Sequence, residues 1–271
     1  MTRNIEIYVL IPTRNRTNFL YKALMSIINQ KYKPKIVIVI NDSDEKLFKL
    51  TEDIICKFDN EENIFSIPNK LGKGLSNSIN TGLDYIKNNY FVNKDSFISL
   101  LDDDDWWDEN YLEVCKNCII ENNAEWIITG LIRYDQNNTN GLKMTIPKLK
   151  DIDINVFLIK NPNIQGSNLF ILANKLFEIG GFDGNLSSTT DRDVCIRLLQ
   201  SGISKITIID QHLVHHWAYD DHVRLSTPGN IQKKHGTQEF YNKYKSIMSS
   251  DQKLAFKERA KELFHVTIDD S

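Results

Sequence analysis

Four short, almost wholly apolar segments, residues 5–11, 36–40, 64–67 and 97–101, each stop abruptly at a polar cluster. This pattern limits the possible folds more than any other feature of the chain. Between the segments the spacing of apolar residues changes to that of a helix. Over residues 19–30, for example, Leu20, Ala23, Leu24, Ile27 and Ile28 fall on one face. Residues 45–58 and 75–87 follow the same rule. Strands that are apolar along their whole length must be covered on both faces, and strands alternating with helices form parallel sheets. The expectation is an α/β fold: a Rossmann-like, mostly parallel central sheet flanked by helices. In open sheets of this kind ligands bind outside the carboxyl ends of the strands. The clusters 13–16, 41–44, 69–74 and 102–105 should therefore border one crevice.

The fourth cluster is Asp102-Asp103-Asp104-Asp105, followed by Trp106 and Trp107. Adjacent carboxylates repel, and one must protonate unless a cation neutralises them. Mg²⁺ and Mn²⁺ prefer such oxygen ligands and often hold substrate phosphates as well. The competing reading is a solvated acidic turn that caps the next helix.

Composition narrows the alternatives. A net charge of −3 lacks the basic footprint of a nucleic-acid binder. No apolar run reaches the length of a membrane span, and the first residues lack a signal-peptide layout. A cytoplasmic location is the expectation, with peripheral membrane contact left open. The four cysteines have no zinc spacing; Cys115 and Cys118 share a helical face with Leu112 and Ile119 and read as core.

The second half is more mixed. Residues 126–134 read as a strand, 135–141 as a polar tip and 143–146 as its return. Residues 167–173 and 206–209 are further strands, residues 193–200 are helical, and a histidine-rich segment spans 212–222. Residues 1–226 are expected to form one catalytic domain, and 227–271 a helical extension packed on it.

Several stretches resemble family 2 glycosyltransferases, which have the GT-A fold. Val9 through Arg16 resembles their opening strand and loop, and Val39-Ile40-Asn41-Asp42-Ser43 their second strand. Residues 69–82 resemble the Asn/Gly-rich segment, and Leu101 through Trp106 the D-x-D motif. Gly180-Gly181-Phe182-Asp183, followed by Thr190-Asp191-Arg192-Asp193, resembles the G-G-F-D and E-D segments. The likeness covers most of residues 5–226. Three positions depart from it: Ile79 stands where Arg is common, Thr190 where Glu is usual, and Asn41 replaces an aspartate.

The resemblance implies transfer of a sugar from a nucleotide-diphosphate donor, UDP by default, to an acceptor hydroxyl with inversion. It implies a Mn²⁺ or Mg²⁺ cofactor ligated by Asp104, with Asp102 and Asp103 touching the metal, its waters or the ribose. Pro12, Thr13, Arg14, Arg16 and Asp42 would line the nucleotide pocket, with Asn69, Gly72, Lys73 and Asn77 completing it. Asp191 would be the general base, and His215 or His216 a further metal or diphosphate ligand, with His222 as competitor. Asp105 reads as a helix cap and Asp193 as a structural partner of Arg197. Arg224, Lys233 and Lys234 lie in a stretch that could fold over the diphosphate, with a solvated basic surface the favoured reading. Trp106 and Trp107 could touch sugar or pack in the core. The acceptor could be a glycan, a lipid-linked saccharide or a peptide. Two rivals remain: a sugar nucleotidyltransferase, which normally has glycine in its first loop, and a non-catalytic nucleotide- or glycan-binding module.

Overall fold

The computed structural model describes residues 3–58, 61, 63–219 and 229–270. The first half alternates as expected: β1 (Glu6–Thr13), α1 (Thr17–Ile28), β2 (Ile36–Asn41), α2 (Glu45–Ile55), β3 (Ile64–Pro68), α3 (Leu75–Asn89) and β4 (Ser96–Leu100). The chain then adds β5 (Trp106–Trp107), α4 (Tyr111–Asn122), β6 (Trp126–Asp135), β7 (Asn138–Lys143), α5 (Ile154–Ile159), β8 (Leu169–Leu172) and α6 (Ala173–Glu178). It closes with α7 (Thr190–Gln200), β9 (Ile206–Trp217), α8 (Ile231–Tyr244) and α9 (Ser250–Phe264).

The strands form one sheet in the order β3-β2-β1-β4-β8-β6-β9-β5, with β7 paired to β6. β1, β2, β3 and β4 are mutually parallel. β8 runs antiparallel between β4 and β6, and β9 is again parallel to β6. The carboxyl ends of β1, β2, β4, β6 and β9 consequently face the same edge.

Strand alternation decides which face each residue serves. In β1, Ile7, Val9 and Ile11 join the core under α1 and α4, while Tyr8 and Leu10 join the core under α3. Complete burial of an aliphatic side chain contributes about 1.5–3 kcal/mol, so neither face can be exposed without loss. The α3-side core also contains Phe240, Tyr241 and Phe256 of α8 and α9. The C-terminal helices therefore share a core with the sheet. Among the described residues no helix is long and apolar enough to cross a membrane.

Four local expectations are corrected. β9 does not stop at residue 209 but runs on through the histidines to Trp217. Exposed Asp210 and Gln211 interrupt its apolar pattern, while pairing to β6 continues across a register shift. The hairpin returns over Asn138–Lys143 rather than 143–146. Trp106 and Trp107 pair with β9 instead of opening a helix, which starts only at Tyr111. α7 begins at Thr190, so Asp191 lies within its first turn.

Candidate active site

The acidic turn is built by three neighbours. Thr13, the last residue of β1, donates its hydroxyl to Asp103 Oδ2 at 2.7 Å. Arg16, at the start of α1, reaches Asp103 at 3.0 Å and Asp104 at 2.8 Å through Nη1. Ser167 bridges the turn's two ends: its Oγ accepts from the Asp102 backbone N–H and donates to Asp105 Oδ2 at 2.6 Å. Asp105 also accepts from the Trp217 backbone N–H at 2.9 Å, and it lies 3.1 Å from Nδ1 of His216. Asp105 is thus a brace tying the turn to β9, not the helix cap expected; the helix begins too far downstream to be capped by it.

Asp102, Asp104 and Asp105 offer carboxylate oxygens within 4.8 Å of one another. The Asp102 carboxylate is half-buried and makes no hydrogen bond or ion pair among the described residues. Desolvation pushes its pKa well above the usual carboxylate range, and the charges of Asp105, Asp104, Asp191 and Asp103 push it further. Burial also raises Asp103, to about 7, against the pull of Arg16. Three of these acids, Asp102, Asp103 and Asp104, act on the single guanidinium of Arg16, and a hard divalent cation would relieve that imbalance. An oxygen-rich set with a carboxylate lacking a partner fits such an ion.

An open cleft of about 810 Å³ lies over the strand ends. Pro12, Thr13, Arg14 and Arg16 line it from the first loop, and Asp42, Lys73 and Asn77 from the second and third crossovers. Asp102, Asp103, Asp104, Asp191 and His216 complete the predicted set within it. Asn69 and Gly72 stand behind this wall. Asn69 donates to Asp42 Oδ1 and to the Gly72 carbonyl, and the Gly74 N–H donates to Asp42 Oδ2. They shape the loop that fixes Asp42.

The two neighbouring histidines part ways because β9 alternates. His216 lines the cleft. His215 faces the other side, stacked 4.9 Å from Trp106 and hydrogen-bonded to the Tyr134 hydroxyl. Trp106 sits beside it under the Lys22 ammonium, and Trp107 is buried against Tyr111 with its N–H on the Ser167 carbonyl. His222 and Arg224 lie outside the described residues. Ile79 is buried in the core, whereas Asn80 pins the Gly-Gly-Phe-Asp turn through two hydrogen bonds to the Phe182 backbone.

Asp191 projects from the first turn of α7. Desolvation raises its pKa to about 6, opposed by the positive charge of Lys233 and by His216. Thr189 precedes the helix with φ of 62°, a left-handed conformation costly for a β-branched residue. Its hydroxyl is anchored on the Gly236 carbonyl of α8. Gly236 is required by close approach: a Cβ there would stand 2.3 Å from the Ser188 backbone nitrogen. Asp193 is structural as expected, meeting Arg197 at 2.7 Å, Lys243 at 2.5 Å and the Tyr244 hydroxyl at 2.7 Å. Lys233 overturns its expectation. It is only 8% exposed and lines the cleft from the first turn of α8. Sequence patterning ranked Lys233 as surface and passed over Ser167, because nothing local marks either residue as part of the cleft.

This sheet order and strand-end site define a GT-A glycosyltransferase fold. The model of glycosyl transferase family 2 matches residues 8–180, and the chain belongs to that family. The matched stretch includes the acidic turn and ends before α7. Among curated relatives, the glycosyltransferase GlyA of Streptococcus pneumoniae is 30% identical over 138 residues, covering 51% of this chain and 18% of that protein. A glycosyltransferase of Rickettsia typhi is 27% identical over 202 residues, 71% of this chain and 58% of that one. The chain therefore spans less than two thirds of these relatives. The crystal structure of residues 1–349 of S. aureus TarS in complex with UDP-GlcNAc superimposes with a TM-score of 0.62 at 16% identity. That match covers 97% of this chain and 74% of the other.

Proposed function

We propose that the protein transfers a sugar from a nucleoside diphosphate donor, a UDP-sugar foremost, to an acceptor hydroxyl with inversion at the anomeric carbon. One observation carries this reading: the Asp102–Asp104 turn and Asp191 share a single cleft at the carboxyl edge of the sheet, in a chain of this family. TarS, a neighbour in fold, was crystallised with UDP and with UDP-GlcNAc, which supports UDP as the first nucleotide to try. Residues 1–226 are assigned as the transferase domain, and 227–271 as an extension that completes its cleft.

In this reading Thr13, Arg14 and Asp42 contact the nucleoside, and Arg16 holds Asp103 and Asp104 in place. Asp102 and Asp104 would hold Mn²⁺ or Mg²⁺, with His216 oriented by Asp105. Bound there, the ion would supply Lewis-acid stabilisation of the departing diphosphate. Asp191 accepts the proton of the acceptor hydroxyl as that oxygen attacks the anomeric carbon opposite the leaving group. A pKa of about 6 leaves it ionised at neutral pH yet basic enough to take the proton.

The test is UDP release from UDP-sugars with Mn²⁺, alongside UDP binding by calorimetry. Asp191→Asn should lower turnover by on the order of 10²–10⁴ while UDP still binds. Asp104→Ala should abolish metal-dependent UDP binding. A protein that binds UDP but never turns over, and is indifferent to Asp191→Asn, would instead be a binding module.

A further inference from the structure

Most charged side chains at the α7–α8 junction already have partners. Asp193 is met by Arg197, Lys243 and Tyr244. Arg192 donates to the Phe157 carbonyl and lies over the rings of Phe240 and Phe256. Lys233 is the exception. It is 92% buried by its 8% exposure, yet its ammonium makes no hydrogen bond or ion pair among the described residues. Its nearest recorded contact is the face of the Phe264 ring, 4.1 Å from the ring centre. The Asn230 side chain caps α8 by accepting from the Gln232 and Lys233 N–H groups, which fixes the residue's backbone. The Asp191 carboxylate acts on this charge without an ion pair forming between them, and a buried ammonium with no hydrogen-bonded partner is unfavourable, so an anion arriving from the cleft would offset that cost.

The position of this charge says which substrate would supply the anion. The Ser187 and Ser188 hydroxyls donate to the Gln232 and Lys233 carbonyls, which ties the first turn of α8 to the segment leading into α7 and Asp191, whereas the acidic turn is tied to β1, Arg16, Ser167 and β9. Lys233 therefore enters the cleft from the Asp191 side. A hydroxyl deprotonated by Asp191 belongs to the acceptor, and the acceptor's remaining atoms must extend past that carboxylate. Arg259 of α9 lines the same part of the cleft, is exposed, and has no ion pair among the described residues.

We propose that the part of the cleft beyond Asp191 is an acceptor subsite for an anionic group, a phosphate or a carboxylate, held by Lys233 with Arg259 at its mouth. The proposal rests on the transferase reading above and adds the chemical class of the acceptor: a hydroxyl compound carrying a negative charge close to the hydroxyl that is glycosylated.

The experiment uses the full chain with Mn²⁺ and saturating UDP. Ligand-observed NMR titrations compare two matched pairs: sn-glycerol 3-phosphate against glycerol, and methyl β-glucuronide against methyl β-glucoside. At least one charged member should bind roughly tenfold more tightly than its neutral mate, as a charge-assisted hydrogen bond predicts. The pair that shows the preference identifies phosphate or carboxylate. Lys233→Met should erase the preference, Lys233→Arg should keep most of it, and Arg259→Gln should reduce it about threefold. UDP affinity should be the same in all variants. If UDP binds the wild type but neither charged member is preferred, the subsite is overturned while the transferase reading stands. Weaker UDP binding in Lys233→Met would overturn it too, by assigning the ammonium to the diphosphate. Failure of UDP to bind the wild type would sink both readings. Should Lys233→Met not fold, the wild-type comparison and the exposed Arg259→Gln decide between these outcomes.

Discussion

At the residue scale, the acidic turn sets chemistry against stability. Burial raises the pKa of Asp102 far above that of the unfolded chain, so the native state binds an extra proton that is lost as pH rises through the raised value. Stability without a divalent ion should accordingly decline above the ordinary aspartate pKa, and the cation should restore it. Asp102→Asn is expected to raise the melting temperature in chelator at pH 8, and to reduce the rise that Mn²⁺ gives the wild type. Thermal scans with and without Mn²⁺ measure both. Asp191 yields a prediction of opposite use. With a pKa near 6 it should impose an acid limb on kcat/KM, activity falling as pH drops through about 6, because only the carboxylate form accepts a proton. A profile flat from pH 5 to 8 would remove Asp191 from the role of base.

At the scale of the element, β9 separates two residues that sequence alone leaves equivalent. The strand was legible only as far as its apolar run, residues 206–209. Its continuation depends on hydrogen bonds to β6 and to Trp106-Trp107, partners remote in sequence. Once residues 212–217 are known to be strand, His215 and His216 must face opposite ways. His216→Ala should weaken metal-dependent UDP binding by about tenfold, as loss of a ligand or its oriented neighbour does. His215→Phe should leave that binding within about twofold and keep the stack on Trp106. Helix α8 carries a second prediction. Gly236→Ala pushes a methyl group against the Ser188 backbone, and overpacking of this sort costs about 1–3 kcal/mol. Because Ser188 and Thr189 lead into α7, the same change should lower turnover by displacing Asp191, measurable alongside the denaturation midpoint.

At the scale of the whole molecule, α8 and α9 are part of the fold's core and of its cleft. Phe240, Tyr241, Tyr244 and Phe256 pack in one cluster with Tyr8, Ile38 and Ile98 of the central strands. A chain ended at residue 227 would expose this apolar face and leave Asp193 without Tyr244 and Lys243. Such a fragment should be insoluble or show a much lower melting temperature, whereas an independent appendage could be removed without that effect.

The sequence by itself determined the parallel half of the sheet, the edge at which the cleft lies, and the carboxylates that line it. These rest on local regularities: apolar runs that only a covered strand can use, helical spacing between them, and polar clusters that must then share one rim. The roles of Asp105, Ser167, His215 and Lys233 were decided by tertiary structure. Each depends on which distant segment lies beside it: β9 against the acidic turn, the 166–168 turn beneath it, Trp106 and Tyr134 around one histidine, and α8 folded back over α7. Hydrogen bonds and burial between segments tens of residues apart leave no periodic trace in the chain, so a brace resembles a helix cap and a buried ammonium resembles a surface lysine until the chain is folded.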